Sequence, residues 1–206
     1  MGELGNKFYA LRRRDIAFML KQIGAIRLSE TGELAVDLHA RASEPSGPLT
    51  QLVVDDLVTY LQHLAYLKNI EPDAVVGTER TGVPFAKALA KFYQNKKIGV
   101  IELPKWRHGE KSHVAHPTTP IRVPLRRVLL LTGSIKSGRT VREAVDVLRD
   151  MNSDLKVAVL TIIDETGIGD LLAKEKSCEI FSVFTGRELI GMFAKGSLRE
   201  PLPAPI

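Results

Sequence analysis

Between residues 74 and 184 the chain repeats one pattern: a short continuous apolar run, most often followed by a helical stretch. Ala74–Val76, Ile98–Leu103, Val128–Leu131, Val157–Ile163 and Ile180–Phe184 are the runs. A strand with one wet face alternates apolar and polar residues, so a run without alternation fits a strand covered on both faces. Helical patterns lie between several runs. Val83–Tyr93 is one, and Thr140–Met151 is another, with Val141, Ala144, Val145 and Leu148 on a single face. Shorter helices are expected at Gly169–Lys174 and Arg187–Phe193. Strands alternating with helices predict an α/β fold, a mostly parallel five-stranded sheet flanked by helices.

The first 45 residues do not follow this alternation. Residues 7–23 carry apolar positions at helical spacing, and Ala25–Leu28 and Leu34–Leu38 flank the turn signal Ser-Glu-Thr-Gly-Glu. They are expected to form a helix and a hood over a core at 46–195. The segment SEPSGP at 43–48 reads as a loop, and Thr50 as the cap of a long helix with Val53, Leu57, Tyr60, Leu61, Leu64 and Leu67 in one stripe. The proline-rich 196–206 reads as a tail. A chain of 206 residues suits one such domain. No apolar run approaches the ~20 residues that cross a bilayer, which excludes a helical membrane protein. The polar start predicts no signal peptide, and the lone Cys178 suits a reducing, cytoplasmic setting. The net charge of +5 fits an anionic ligand such as a phosphate ester without requiring nucleic acid. Arg12–Arg14 read as a solvated helix face, with nucleic-acid contact the weaker alternative.

In open α/β sheets ligands bind beyond the carboxyl ends of the strands, and two loops sit there. Gly77–Pro84 (GTERTGVP) follows the first run; its glycines would let backbone N–H groups approach an anion, with Arg80 adding charge, although a plain strand–helix turn reads the same. Thr132–Thr140 (TGSIKSGRT) follows the third run and opens a helix. Hydroxyls, glycines and a helix N-terminus together suit a phosphate monoester. This loop also nearly spells a nucleoside-triphosphate P-loop, with Arg139 in the lysine position and Asp164 able to imitate the magnesium-side aspartate. Arginine is a poor substitute for that compact point charge, and few elements remain after the loop. Pro104–Pro120 is long, polar and without periodicity. It holds Lys105, Trp106, Arg107, His108, Lys111, His113 and His116, and reads as a mobile basic flap closing on an anion. No carboxylate cluster accompanies the histidines, so no metal site is expected.

The segments LLLTGSIKSGRTVREAVDVLRD, DAVVGTERTGVPFAKALA, GAIRLSETGELAVDL and IIDETG resemble the type I phosphoribosyltransferases, and among them the orotate phosphoribosyltransferases. The resemblance runs over nearly the whole chain. It implies a 5′-phosphate site at Lys136, Ser137, Gly138, Arg139 and Thr140. It implies a pyrophosphate loop at Glu79, Arg80, Thr81 and Gly82, a mobile loop with Lys105, Arg107 and His108, and a base-side turn at Glu165. It also implies a homodimer whose mobile loop enters the partner's site, and magnesium accompanying a sugar diphosphate if the chain is active.

The same comparison exposes departures. The family's acidic pair is Thr132-Gly133 here. Its hood lysine is Ser29 or Glu30, and the arginine that recognises the orotate carboxylate is Glu165. The mobile loop's arginine and lysine positions read Glu102, Leu103 and Trp106, with Lys105 one residue away. Lys136 and Arg139 replace smaller residues of the usual phosphate loop. The expectation is a protein that binds a phosphoribosyl or nucleotide ligand with weak or no orotate transfer. An active transferase for another base, one for which Glu165 suits an amino group, stands as the alternative. A nucleic-acid-binding regulator on the same scaffold comes after it.

Overall fold

The computed structural model describes residues 3–38, 48–93, 98–108, 111–117 and 125–196. The loop expected at 43–48, apart from its last residue, and the tail, apart from Gly196, lie outside them. Helix α1 (Glu3–Gln22) and the short antiparallel pair β1 (Ile26–Leu28) and β2 (Leu34–Val36) precede helix α2 (Pro48–Leu67). Then follow β3 (Ala74–Thr78), α3 (Glu79–Phe92), β4 (Gly99–Leu103), β5 (Lys105–His108), β6 (Lys111–Val114), β7 (Arg127–Ile135), α4 (Arg139–Met151), β8 (Lys156–Asp164), α5 (Gly169–Glu175), β9 (Glu179–Thr185) and α6 (Gly186–Ala194). Five strands form a parallel sheet in the order β4-β3-β7-β8-β9.

The continuous apolar runs have the expected physical cause. Successive strand side chains point to opposite faces. Val75, Leu129, Leu131, Ala158 and Leu160 therefore enter one core with residues of α1, α2, α3 and α6. Ala74, Val76, Val128, Leu130, Val157 and Val159 enter a second core with Val141, Ala144, Val145 and Leu148 of α4 and Leu172 of α5. Ile16, Leu20, Ala25 and Ile26 of the N-terminal segment share the first core with the sheet.

Three expectations are corrected. Arg12 and Arg13 do not form a solvated face. Arg12 pairs with Asp56 of α2 at 2.7 Å. Arg13 donates to the Val183 carbonyl oxygen at 2.6 Å, meets Glu188 at 3.0 Å and lies over the Phe184 ring at 5.2 Å. Two of the charges that hinted at nucleic acid thus fasten α1 to α2, β9 and α6. Replacing Arg13 by Ala strands a carbonyl and removes packing from Phe184. We expect a loss of about 1–3 kcal/mol in denaturant unfolding.

The first helix after β3 begins at Glu79 rather than Val83, so the expected loop at 77–84 is mostly the first turn of α3. The polar stretch 104–120 is not without order: β5 and β6 pair as a hairpin, Lys105 opposite Val114 and Trp106 opposite His113. A segment that lacks an apolar face gives no strand signal in the sequence.

Candidate functional site

The carboxyl ends of β3, β7 and β8 open on one side of the sheet, and the sequence-expected loops meet there. Strand β7 runs four residues further than its apolar core, through Thr132, Gly133 and Ser134 to Ile135. Thr132 and Gly133, at the positions of the acidic pair, therefore lie within the sheet. Thr132 is 5% exposed and pairs with Thr161 of β8, whose hydroxyl donates to the Gly133 carbonyl oxygen at 3.2 Å. The connection left between β7 and α4 is Lys136-Ser137-Gly138.

That connection is held from three directions. Gly138 caps α4 with φ of 73°, in the left-handed region. A Cβ there would come within 2.5 Å of the Leu172 side chain, so α5 packs directly beneath it. Thr166 donates its hydroxyl to the Lys136 carbonyl oxygen at 2.8 Å. Arg142, one turn into α4, donates Nη1 to the Ser137 carbonyl oxygen at 2.8 Å and Nε to both Glu175 oxygens at 2.8 and 2.9 Å. With the Lys136 and Ser137 carbonyls occupied by Thr166 and Arg142, the connection and the start of α4 present Lys136, Ser137, Arg139 and the α4 N-terminus. Lys136, Ser137 and Arg139 are exposed. Hydroxyls, cations and the positive end of a helix suit an oxyanion.

Thr166, Arg142, Leu172 and Glu175 were missed in the sequence. Thr166 and Leu172 meet the loop from the β8–α5 segment, and Glu175 of α5 orients Arg142 of α4; spacing along a chain does not show which helix lies under a loop. The Arg142 hydrogen bond holds the Glu175 carboxyl below its ordinary 4.5, and the nearby Lys176 adds to this. A depressed carboxyl gives stability that is present above its ordinary value and lost as pH falls through the depressed one. We expect an NMR titration of Glu175 to have its midpoint below 4.5, and the clasp to open only in acid beneath that range.

Asp164 does not resemble a magnesium-side aspartate. Its Oδ1 accepts the N–H groups of Gly167 and Ile168 at 2.9 and 3.2 Å, and its Oδ2 that of Gly169 at 2.8 Å. Both oxygens are committed to turning the chain from β8 into α5, which removes the support for a nucleoside-triphosphate P-loop.

The other candidates fall around this centre. Thr78, 1% exposed, donates its hydroxyl to the Leu131 carbonyl oxygen at 3.4 Å and ties the end of β3 to β7. Gly82 packs so close to β7 that a Cβ would lie 2.3 Å from the Leu131 carbonyl oxygen. Glu79, Arg80 and Thr81 lie on the backbone of α3's first turn; their side chains are outside the described residues, as are those of Arg107 and His108. Glu165 precedes Thr166, and its N–H donates to the Ile135 carbonyl oxygen at 2.9 Å, which puts this turn beside the Lys136-Ser137-Gly138 connection. Ser29 is engaged in its own turn, accepting the Glu33 N–H at 3.0 Å. Glu102 and Leu103 belong to β4 and not to a flap: Glu102 pairs with Lys87 at 2.7 Å, and Leu103 is 1% exposed. Lys105 does reach the centre, its ammonium 3.0 Å from the Thr140 hydroxyl oxygen.

His113 and His116 face different carboxylates of α4, Glu143 at 3.2 Å and Asp150 at 3.9 Å. Among the described residues no three His, Cys, Asp or Glu side chains group as metal ligands would. Cys178 is half-buried at the opposite end of the sheet, and burial raises its thiol pKa, which disfavours the reactive thiolate.

No family model matches the chain. Over 195 residues it is 26% identical to an orotate phosphoribosyltransferase of Methanosarcina mazei, covering 91% of this chain and 96% of that one. Over 119 residues it is 30% identical to the bifunctional protein PyrR of Acetivibrio thermocellus, covering 52% of this chain and 65% of that one. Its structure superposes on the orotate phosphoribosyltransferase of Aeropyrum pernix with a TM-score of 0.61 at 22% identity, covering 88% and 99% of the two chains. The fold is that of the type I phosphoribosyltransferases. A likeness to the adenine phosphoribosyltransferase of Leishmania donovani, TM-score 0.55 at 13% identity over 84% and 80% of the chains, extends the shared fold beyond the enzymes of orotate. The chain's relatives by sequence are orotate phosphoribosyltransferases and PyrR proteins. Among the described residues no helix is long and apolar enough to cross a membrane.

Proposed function

We propose that this protein binds a 5′-phosphorylated ribose, as a nucleoside monophosphate, through Lys136–Thr140, and that it does not carry out efficient orotate transfer. The observation behind this is a contrast within nine residues, 132–140. The phosphate connection is braced by Thr166, Arg142 and Leu172, while Thr132 and Gly133 just before it are a buried hydroxyl and a bare backbone. Phosphoribosyl transfer develops positive charge on the ribose and negative charge on the departing pyrophosphate. Placed charges are what lower such a barrier, and one misplaced group costs about a hundredfold or more in rate. The positions that supply those charges in the family are uncharged or of opposite sign here. Glu165 would also repel an anionic base.

Magnesium enters this family's chemistry on the sugar diphosphate. Here the two positions that would face it offer no carboxylate, and Asp164 is already committed to three N–H groups. The residues present do not fit that ion. The protein would act as a cytoplasmic sensor or regulator, pairing with a second copy as the resemblance implies.

The test is pyrophosphate release from phosphoribosyl diphosphate with orotate and magnesium, beside a titration with uridine 5′-monophosphate. We expect monophosphate binding with no orotidylate formed above the enzyme-free rate. Robust turnover of orotate would overturn the proposal. A complementary expectation concerns Thr132→Asp. A carboxylate placed at a position 5% exposed within a strand lowers stability by about 3 kcal/mol or more in denaturant unfolding.

A further inference from the structure

We infer that Glu143 is a positioning residue, and that it docks the β5–β6 hairpin on α4 of the same chain so that Lys105 completes the phosphate cradle. The inference rests on the phosphate reading of Lys136–Thr140 and goes beyond it in naming how the site is closed.

Glu143 lies three residues after Thr140, so the two share a face of α4. Its Oε2 accepts the Val114 N–H at 2.8 Å, and its Oε1 meets His113 Nδ1 at 3.2 Å and Arg139 Nε at 3.7 Å. One carboxylate thus holds a backbone group of β6, a side chain of β6 and a cation of the phosphate connection. Val114 is the cross-strand partner of Lys105. Directly opposed residues of an antiparallel pair share a face. Fixing Val114 on α4 therefore fixes Lys105 toward α4 as well. Val114 is 8% exposed and enters the core beneath α4, whereas Trp106, one residue along β5, is 66% exposed on the hairpin. The lysine ammonium arrives 3.0 Å from the Thr140 hydroxyl.

This places a cation at the N-terminal turn of a helix, the end whose partial positive charge disfavours cations. Lys136 and Arg139 flank the same turn. Glu143 answers Arg139 there, and a phosphate monoester adds further negative charge and acceptor oxygens that Lys105 and Thr140 can share. The hairpin is fastened to its own helix, so Lys105 serves the site of its own chain.

The full-length protein is titrated with uridine 5′-monophosphate as wild type, Glu143→Ala, Lys105→Met and the double variant. Hydrogen exchange at the Val114 amide and Trp106 fluorescence are followed in each. Trp106 is the only tryptophan, so its signal reports the hairpin alone. Glu143→Ala is expected to speed Val114 exchange and to weaken monophosphate binding roughly tenfold, as is Lys105→Met. The double variant is expected to be no weaker than either single one, because a released lysine has nothing left to lose. Glu143→Gln, which keeps one acceptor, should recover part of the Val114 protection. The inference is overturned if the wild type binds the monophosphate but the two substitutions weaken it independently, or if Glu143→Ala changes neither exchange nor affinity. A wild type that binds no monophosphate overturns the phosphate reading itself, and Val114 exchange then shows separately whether Glu143 docks the hairpin.

Discussion

Gly138→Ala is expected to cost this protein about 2–5 kcal/mol of stability and most of its affinity for a phosphate monoester. Two penalties add. With φ of 73°, an L side chain pays the left-handed strain, and its Cβ would stand 2.5 Å from Leu172 Cδ1. Leu172 is fully buried in the second core and has no room to step aside. Either α4 shifts away from α5 or the Lys136-Ser137-Gly138 connection rearranges, and in both cases its backbone loses the grip of Arg142 and Thr166. The penalties can be separated. Leu172→Ala opens space for the new methyl group, so in the double variant the packing penalty falls while the backbone strain remains. Denaturant unfolding of the two single variants and the double variant should show destabilisation less than additive. Full additivity would mean that Gly138 and Leu172 do not share this contact.

Asp164→Ala is expected to be of similar size, about 2–5 kcal/mol, because three N–H groups at the start of α5 lose a charged acceptor at once. Asp164→Asn should recover little. An amide has one acceptor oxygen, which can serve either the Gly167 and Ile168 pair or Gly169, and its NH2 group would face the donors left over. The effect should travel. Helix α5 carries Leu172 beneath Gly138 and Glu175 against Arg142, so a loosened start of α5 loosens the phosphate connection. Unfolding and monophosphate titration should therefore weaken together in Asp164→Ala. A variant that unfolds easily yet binds with wild-type affinity would contradict the coupling.

How far the sequence revealed this molecule depended on which interactions were local. The parallel sheet was legible because burial on both faces leaves an unbroken apolar run, and Val157–Ile163 lies within β8 (Lys156–Asp164). The helical stripe of Val141, Ala144, Val145 and Leu148 likewise marks α4, and all four are buried. The ends of elements were less legible. Strand β7 continues through Thr132-Gly133-Ser134, residues whose composition suggests a loop, because the neighbouring β8 supplies a partner at Thr132 and Ser134. The hairpin at 105–114 was hidden for the opposite reason: polar on its surface, it is held by one Glu143 carboxylate and one buried valine. In the candidate site, the exposed Lys136, Ser137 and Arg139 at the start of α4 follow from residue type and order. The contributions of Thr166, Leu172 and Glu175 do not, since they depend on the β8–α5 segment crossing beneath the connection, where Glu175 also orients Arg142. Arg12 and Arg13 show the same limit, a charge run that proves to be an anchoring device once β9 and α6 are beside it.

The central claim is that the connection before α4 recognises a 5′-phosphate group, and a calorimetric titration tests it most directly. Uridine 5′-monophosphate and uridine are titrated in parallel into the full-length protein at one salt concentration. The structure predicts saturable binding of the monophosphate, at least about tenfold tighter than that of the nucleoside, as expected for charge-assisted hydrogen bonds to phosphate. Equal affinity for the two, or no heat from either, would contradict it.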